Sequence, residues 1–333
     1  MFKFSVNLRK VLVITGLIFI QFSVNAQVKW ISVDADFAPL PKAFHVFKTT
    51  DSLNGKPFIA YYAVASLKKK KLLFTADTTY KRRLTPSGFY EKNNQPLLVV
   101  NTSFFSFATN QNLNLVVKNG ELISYNTHSV PLKGKDTFQY KHPFGSAIGI
   151  SKKRKAAIAW TYTDSSLQHV YVVERPIPAM KDSVNSFPFK TAQLLTRNSL
   201  NDRFDLYEWN QQTAVGGGPV LVQSGQIKVT NNEEMKFAGK AINDLHPRTL
   251  MGYTKDNKII VMVIEGRNPG IADGATLTQA AQLMVDLGCV EALNLDGGGS
   301  SCMLINGKET IKPSDKGQQR LVPAVFIIHQ KRK

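Results

Sequence analysis

Asp296 closes an apolar run and is followed by Gly297, Gly298 and Gly299, then Ser300 and Ser301. An aspartate at a strand end often only caps a turn. A turn, however, uses one or two glycines, whereas three in a row let backbone N–H groups come close to a ligand as an anion-cradling loop. Asp296 therefore reads as catalytic or ligating, with the serine hydroxyls as added donors. The run lacks the Gly-Lys-Ser/Thr ending of a nucleotide P-loop, and no GxSxG nucleophile elbow occurs in the chain.

A second carboxylate, Glu265, also ends an apolar run and stands two residues before Arg267. Alone, such a pair is a surface ion pair of little consequence. Beside Asp296 it becomes half of a carboxylate pair, the minimum equipment for breaking a glycosidic bond. The planar guanidinium of Arg267 suits phosphate oxygens. "LHPRTLMGY" places Arg248 and Thr249 at a strand entry, with His246 open to either acid–base work or a plain surface position. "AVGGGPVL" holds a second triplet, Gly216, Gly217 and Gly218, read as either a bulge or a further ligand surface. "VVNTSFFS" closes a strand with Asn101 and then Ser103, Phe104 and Phe105, two aromatics placed to pack on opposite sides of a bend.

The positioning elements follow from periodicity. "ATLTQAAQLMVDLGC" has Leu277, Ala280, Ala281, Met284 and Leu287 at helical spacing, a Thr276/Gln279 capping box and a Gly288 stop. It lies between strands expected at Lys258–Ile264 and Val290–Leu295. Strand, helix, strand predicts a parallel pair joined by a right-handed crossover over 258–295, with both strand ends at one side of the sheet. Glu265, Arg267, Asn294 and Asp296 then converge on one cleft, and Arg248 joins them as the start of a hairpin whose second strand ends at Glu265. Elsewhere the chain reads as short strands broken by Asn, Gly and Asp. Hairpins are expected at Asn119-Gly120, Ser224-Gly225 and "TKDN". A helix is expected near Leu200–Trp209. Gly225–Leu245 is a long polar connection, read as a lid. The fold class is α+β: mixed, largely antiparallel sheets, few helices, and one βαβ unit carrying the site at its strand ends.

The first 26 residues read as a secretory signal, with Lys3, Arg9 and Lys10 before the apolar stretch Val11 to Ile20 and a small-residue cut after Ala26. No later run is long enough to span a bilayer, so an exported protein, periplasmic or secreted, is expected. Residues 27–96 form a β-rich N-terminal part packed on a main domain over 97–330. The net charge is +18; removing the three basic leader residues takes it to +15, which favours anionic partners. Basic residues and aromatics show no interleaved nucleic-acid motif, and no nucleic-acid partner is expected. The runs Lys68–Lys71 and Lys152–Lys155 fit solvated hairpin turns. Cys289 and Cys302 are the only cysteines. Buried thiols are expected, with one disulfide as the alternative. No Cys/His cluster has zinc spacing.

Taken in order, "NTSFF", "VGGGPVL", "HPRTLMGY", "IEGR" and "GATLTQAAQLMVDLGCVEALNLDGGGSS" resemble the phosphodiester glycosidase family over roughly Leu97 to Ile328. The resemblance implies hydrolysis of the bond between a sugar C1 and a phosphodiester oxygen, releasing free sugar and a phosphomonoester. It also implies a site lined by Arg248, Thr249, Glu265, Arg267, Asn294, Asp296, the glycines Gly297 to Gly299 and Ser300, with Asn101 and Ser103 from the first motif and Gly217 and Gly218 from the second. Asp296 is the expected nucleophile or base and Glu265 its partner. The sequence departs from the family pattern twice. Asn101-Thr102-Ser103 replaces Asn-Gly-Gly/Thr, which puts side chains where others keep bare backbone. Glu265-Gly266-Arg267 replaces Asp-Gly-Arg, which lengthens the carboxylate arm. No cofactor is required; Asp296, Glu265 and phosphate oxygens could share a divalent cation, but no spacing calls for one. Two rival readings are a phosphodiesterase that cuts P–O and a non-catalytic module that binds anionic glycans.

Overall fold

The computed structural model describes residues 28–127, 130–131, 140–142, 144–164, 168–176, 180–181 and 207–331. The leader expected over residues 1–26 lies outside them, as does most of the helix expected near Leu200–Trp209; of its described residues, 207–209, Tyr207–Glu208 is a short strand.

Three large sheets hold the molecule. An eight-stranded sheet runs in the spatial order Ile31–Ser32, Phe44–Thr49, Ala60–Ser66, Lys258–Ile264, Arg248–Thr254, Cys289–Asn294, Val220–Gln223, Gln226–Ile227. A seven-stranded sheet is centred on Gly145–Ile150, flanked by Ala156–Asp164 and Thr213–Gly216. A five-stranded sheet contains Met303–Ile305, Leu98–Asn101, Ala324–Gln330 and Leu72–Thr78 as consecutive neighbours. Residues before 97 thus supply strands to two of these sheets.

The strand "KIIVMVI", Lys258–Ile264, shows why the sheets stack. It does not alternate, because both of its faces are covered. Ile259, Val261 and Val263 enter a core shared by all three sheets, with Leu293, Ile148, Trp160, Val215, Val100 and Phe326. Ile260, Met262 and Ile264 face the other way, onto Leu277, Ala280, Ala281 and Met284 of the helix Leu277–Asp286. Each such side chain contributes about 1.5–3 kcal/mol on burial, so this one strand anchors both layers. The helix starts where expected. Gln279 N donates to Thr276 Oγ1 (3.1 Å) and Thr276 N donates to Gln279 Oε1 (2.9 Å).

The expected parallel pair is absent. Every ladder among the described residues is antiparallel, and Arg248–Thr254 is inserted between Lys258–Ile264 and Cys289–Asn294, paired antiparallel with each. Two strands antiparallel to a common neighbour point the same way, so the convergence at their ends survives by a different route. Order along the chain could not show that the hairpin partner would occupy the gap.

The hairpins at Asn119-Gly120, Ser224-Gly225 and "TKDN" are present. Of the two basic runs, Lys152–Lys155 turns a hairpin, whereas Lys68–Lys71 joins strands of different sheets. Arg154 ties the two together, its guanidinium donating to the carbonyls of Leu67, Lys69 (2.9 Å) and Leu72 (3.0 Å). The polar connection 225–245 is built rather than free. It carries the strand Gln226–Ile227, the helical turn Asn231–Glu234 and the 3-10 turn Gly239–Ile242. Cys289 and Cys302 are free and buried, and burial pushes the Cys289 thiol up to about 12. Among the described residues no helix is long and apolar enough to cross a membrane.

Candidate active site

Register brings the first group of residues together. Arg248 pairs with Ile264 and Leu250 with Asn294, so Arg248, Thr249, Glu265, Asn294 and Asp296 reach one edge of the eight-stranded sheet. Asn101, the last residue of a strand in the five-stranded sheet, arrives at the same place. It is fully buried and bonded through both ends of its side-chain amide. Its Nδ2 donates to the Asp296 carbonyl (2.6 Å), and its Oδ1 accepts from Thr249 Oγ1 (2.9 Å) and Cys302 N (3.1 Å). Asp296 N in turn donates to the Thr102 carbonyl (2.6 Å). Asn101 and Thr249 therefore hold the backbone at Asp296 rather than presenting free donors. Ser103 is buried beside Thr102, with the two hydroxyl oxygens 3.5 Å apart.

The three glycines after Asp296 have three separate reasons to be bare. A Cβ on Gly297 would lie 2.8 Å from the Pro247 carbonyl oxygen. Gly298 has φ +60°, and a Cβ there would lie 3.0 Å from Arg267 Nη2. A Cβ on Gly299 would strike the guanidinium of Arg320. The expected cradle of N–H groups is thus largely taken up: Gly298 N donates to Pro247 O (2.8 Å) and the Gly297 N–H leans on the Asp296 carboxylate. What the missing side chains admit is two arginines, laid directly against the loop.

Asp296 as a residue is partly open, yet its carboxyl is enclosed by protein. Burial raises its pKa to about 7; the Ser300 hydroxyl, Arg320, Lys236 and the Gly297 N–H oppose that rise. Near neutral pH it is poised between acid and base. Lys236 reaches the site from the helical-turn segment. Its Nζ donates to the Gly217 carbonyl (2.8 Å) and sits 4.0 Å from the centre of the Phe104 ring. Phe104 meets Phe237 edge-on at 6.0 Å, and Arg248 lies over Phe237. Arg248 is nearly buried and spends donors on the carbonyls of Ala275 (2.9 Å) and Asp244 (3.3 Å). Burial, then the charge of Arg267, lowers its pKa to about 10. His246 Nδ1 is 3.5 Å from Arg267 Nη2. Burial and the two arginines push its pKa down, which favours the neutral ring.

Other expected members are held differently. Glu265 does not stand free as a partner carboxylate: Oε2 accepts from Lys312 N (3.0 Å) and Oε1 from Asn268 Nδ2 (3.4 Å). It anchors the segment that leads to Arg320. Gly217 and Gly218 pack against protein. A Cβ on Gly217 would meet Asn294 O at 2.6 Å, and one on Gly218, where φ is +116°, would strike the Glu234 carboxylate. Asn294 Nδ2 donates to Gly218 O (3.0 Å) and to Leu295 O (2.8 Å). Among the described residues no group of three or more His, Cys, Asp or Glu side chains forms a metal cluster.

A family model described as phosphodiester glycosidase matches residues 94–329. The chain belongs to the phosphodiester glycosidase family. Within that family it is 28% identical over 122 residues to the N-acetylglucosamine-1-phosphodiester alpha-N-acetylglucosaminidase of Mus musculus, and 28% identical over 126 residues to that of Homo sapiens. The matches span 35% and 34% of this chain but 23% and 24% of those proteins, about a quarter of their length. Among solved structures, the zebrafish N-acetylglucosamine-1-phosphodiester alpha-N-acetylglucosaminidase catalytic domain superimposes with a TM-score of 0.55 at 17% identity, covering 92% of this chain and 89% of that one. A hypothetical protein of Synechocystis gives 0.57 at 15%, covering 87% and 62%. At these identities the likeness is one of fold.

The family motifs account for Asp296, Arg267 and Arg248 but not for Arg320, Lys236 or Phe237. Arg320 stands in the polar stretch "SDKGQQRL", which carries no motif. Lys236 and Phe237 fall in the polar connection read as a lid, which carries no motif that marks them.

Proposed function

We propose that this chain is an exported hydrolase that cleaves the C1–O bond of a sugar-1-phosphodiester, with N-acetylglucosamine as the first sugar to test because the named relatives act on it. The observation that carries the reading is the Asp296 carboxyl set at a glycine loop with Arg267 and Arg320 laid against it. A phosphomonoester leaves readily once its developing charge is met, and the two guanidinium groups and Lys236 supply that positive field without a proton donor. Asp296, ionised, faces the oxocarbenium-like carbon as nucleophile or base. Water adds its oxygen to C1, the C1–O bond breaks toward phosphate, and the phosphomonoester keeps the bridging oxygen. Asn101 and Thr249 hold the Asp296 backbone in register. Glu265 acts through Lys312 on the segment bearing Arg320. The reaction as written uses no cofactor.

Hydrolysis in ¹⁸O water tests it. Label in the C1 hydroxyl of the released sugar is expected. Label in the phosphate would overturn the reading in favour of P–O cleavage, and retained affinity without turnover on any C1-phosphodiester would favour a binding module.

A further inference from the structure

Phe104 and Phe105 do diverge at their bend, and the second leads away from the reaction centre. Phe105 packs on Phe107, ring centres 4.7 Å apart, and Phe107 is 64% exposed. Two guanidinium groups lie against that exposed ring. Arg320 Cζ and Arg83 Cζ are each 5.4 Å from its centre, and Arg83 is also 4.9 Å from the centre of Phe105. The two cations are therefore within twice that distance of one another, bridged by one ring. Arg320 belongs to the candidate site through Gly299 and Asp296, and Asp315 Oδ2 holds its Nε at 2.7 Å. Arg83 belongs to nothing else: among the described residues no carboxylate or carbonyl pairs with its guanidinium. An arginine stacked on a ring is pre-oriented and keeps its donors for a planar or tetrahedral anion. Asp296, Arg320, Phe107 and Arg83 are thus successive neighbours from the enclosed carboxyl to an exposed ring.

We propose that Arg320, Phe107 and Arg83 form a subsite for the leaving group, and that this group carries a second phosphate. The scissile phosphate lies at Arg320, the connecting carbons pack on Phe107, and the second phosphate meets Arg83. The proposal rests on the glycosidase reading for its direction, while its central claim concerns binding and is measured apart from turnover.

The probes are glycerol 3-phosphate and glycerol 1,3-bisphosphate, titrated calorimetrically into the full chain. The bisphosphate is expected to bind about tenfold tighter, as one further charge-assisted contact gives. Arg83→Ala and Phe107→Ala are expected to bring the ratio near one. Arg82→Ala, which removes the same charge from an exposed neighbour outside the stack, leaves the ratio as it is. Thermal melts establish that each variant is folded. A ratio near one in the parent, or an equal loss in the Arg82 and Arg83 variants, overturns the subsite. Should the ratio behave as expected while no C1-phosphodiester is turned over, the subsite stands and the glycosidase reading falls. Where turnover is seen, kcat/KM for a sugar-1-phosphodiester with a phosphorylated leaving group should exceed that for its unphosphorylated counterpart, and Arg83→Ala should remove that preference.

Discussion

The molecule holds two glycine triplets, each beside an enclosed carboxylate, and they do opposite things. At Gly216–Gly218 the close neighbours are Asn114 Cβ, the Asn294 carbonyl, the Leu295 side chain and the carboxylate of Glu234. Glu234 is saturated: Oε1 accepts from Trp160 Nε1 (3.1 Å), Val220 N (3.0 Å) and Thr230 Oγ1 (2.6 Å), and Oε2 from Ser146 Oγ (2.7 Å). These donors come from two sheets and the helical turn, so this pair is a joint. At Gly297–Gly299 two of the close neighbours are arginine heads, and Asp296 has cations around it in place of a full set of donors. That pair is the candidate site. A buried carboxylate with every lone pair matched stabilises the fold, whereas one left short of partners is available for chemistry.

The two carboxylates should respond to substitution in opposite ways. Asp296→Asn should lower kcat/KM by at least ~1,000-fold while leaving the melting temperature unchanged or higher at alkaline pH. A large loss of stability would make Asp296 structural and dissolve the contrast. Glu234→Ala should behave in reverse, costing about 2–5 kcal/mol in chemical denaturation because four donors lose their acceptor. Glu234→Gln should cost less, since its amide can face Ser146 Oγ, a hydroxyl able to accept.

The glycines should differ as their neighbours do. Gly218→Ala should cost about 2–3 kcal/mol, from the left-handed φ and the collision with Glu234. Gly299→Ala displaces only the far end of a flexible side chain, so the melt should barely move while kcat/KM falls by about tenfold.

The smallest effect is in pH dependence. The Asp296 pKa, about 7 in the fold, lies above its ordinary value of ~3.9 in the unfolded chain. The folded state therefore binds more protons between these values, and the stability this adds is fully present below about 4 and lost as pH rises through about 7. Asp296→Asn should flatten that part of the stability profile. In the parent, kcat/KM should rise with pH through about 7, since the ionised form attacks or deprotonates. A fall there would recast Asp296 as a general acid.

Much of this was legible in the chain. The antiparallel α+β class, the three hairpins and the capped helix are written in local signals, because turn chemistry and side-chain periodicity act over a few residues. The family motifs marked Asp296 and Arg267 for the same reason. The parallel pair was misread because adjacency in a sheet is not local: the hairpin strand Arg248–Thr254 took the gap, which its own sequence could not reveal. The bonds that tie Asn101 to Thr249 and to the Asp296 carbonyl were hidden in the same way, since they join residues 148 and 195 positions apart.

Local signals in the chain were enough to mark the three hairpins, where the helix begins and ends, and which loop must be free of side chains, but not the strands Phe44–Thr49, Leu72–Thr78, Met303–Ile305 and Ala324–Gln330. Only the tertiary structure decided what fills the space those glycines leave. One triplet received a saturated carboxylate and the other received two arginines. The physical reason is that a missing Cβ permits close approach from any direction, and the approaching group is chosen by how three sheets cross around a common core.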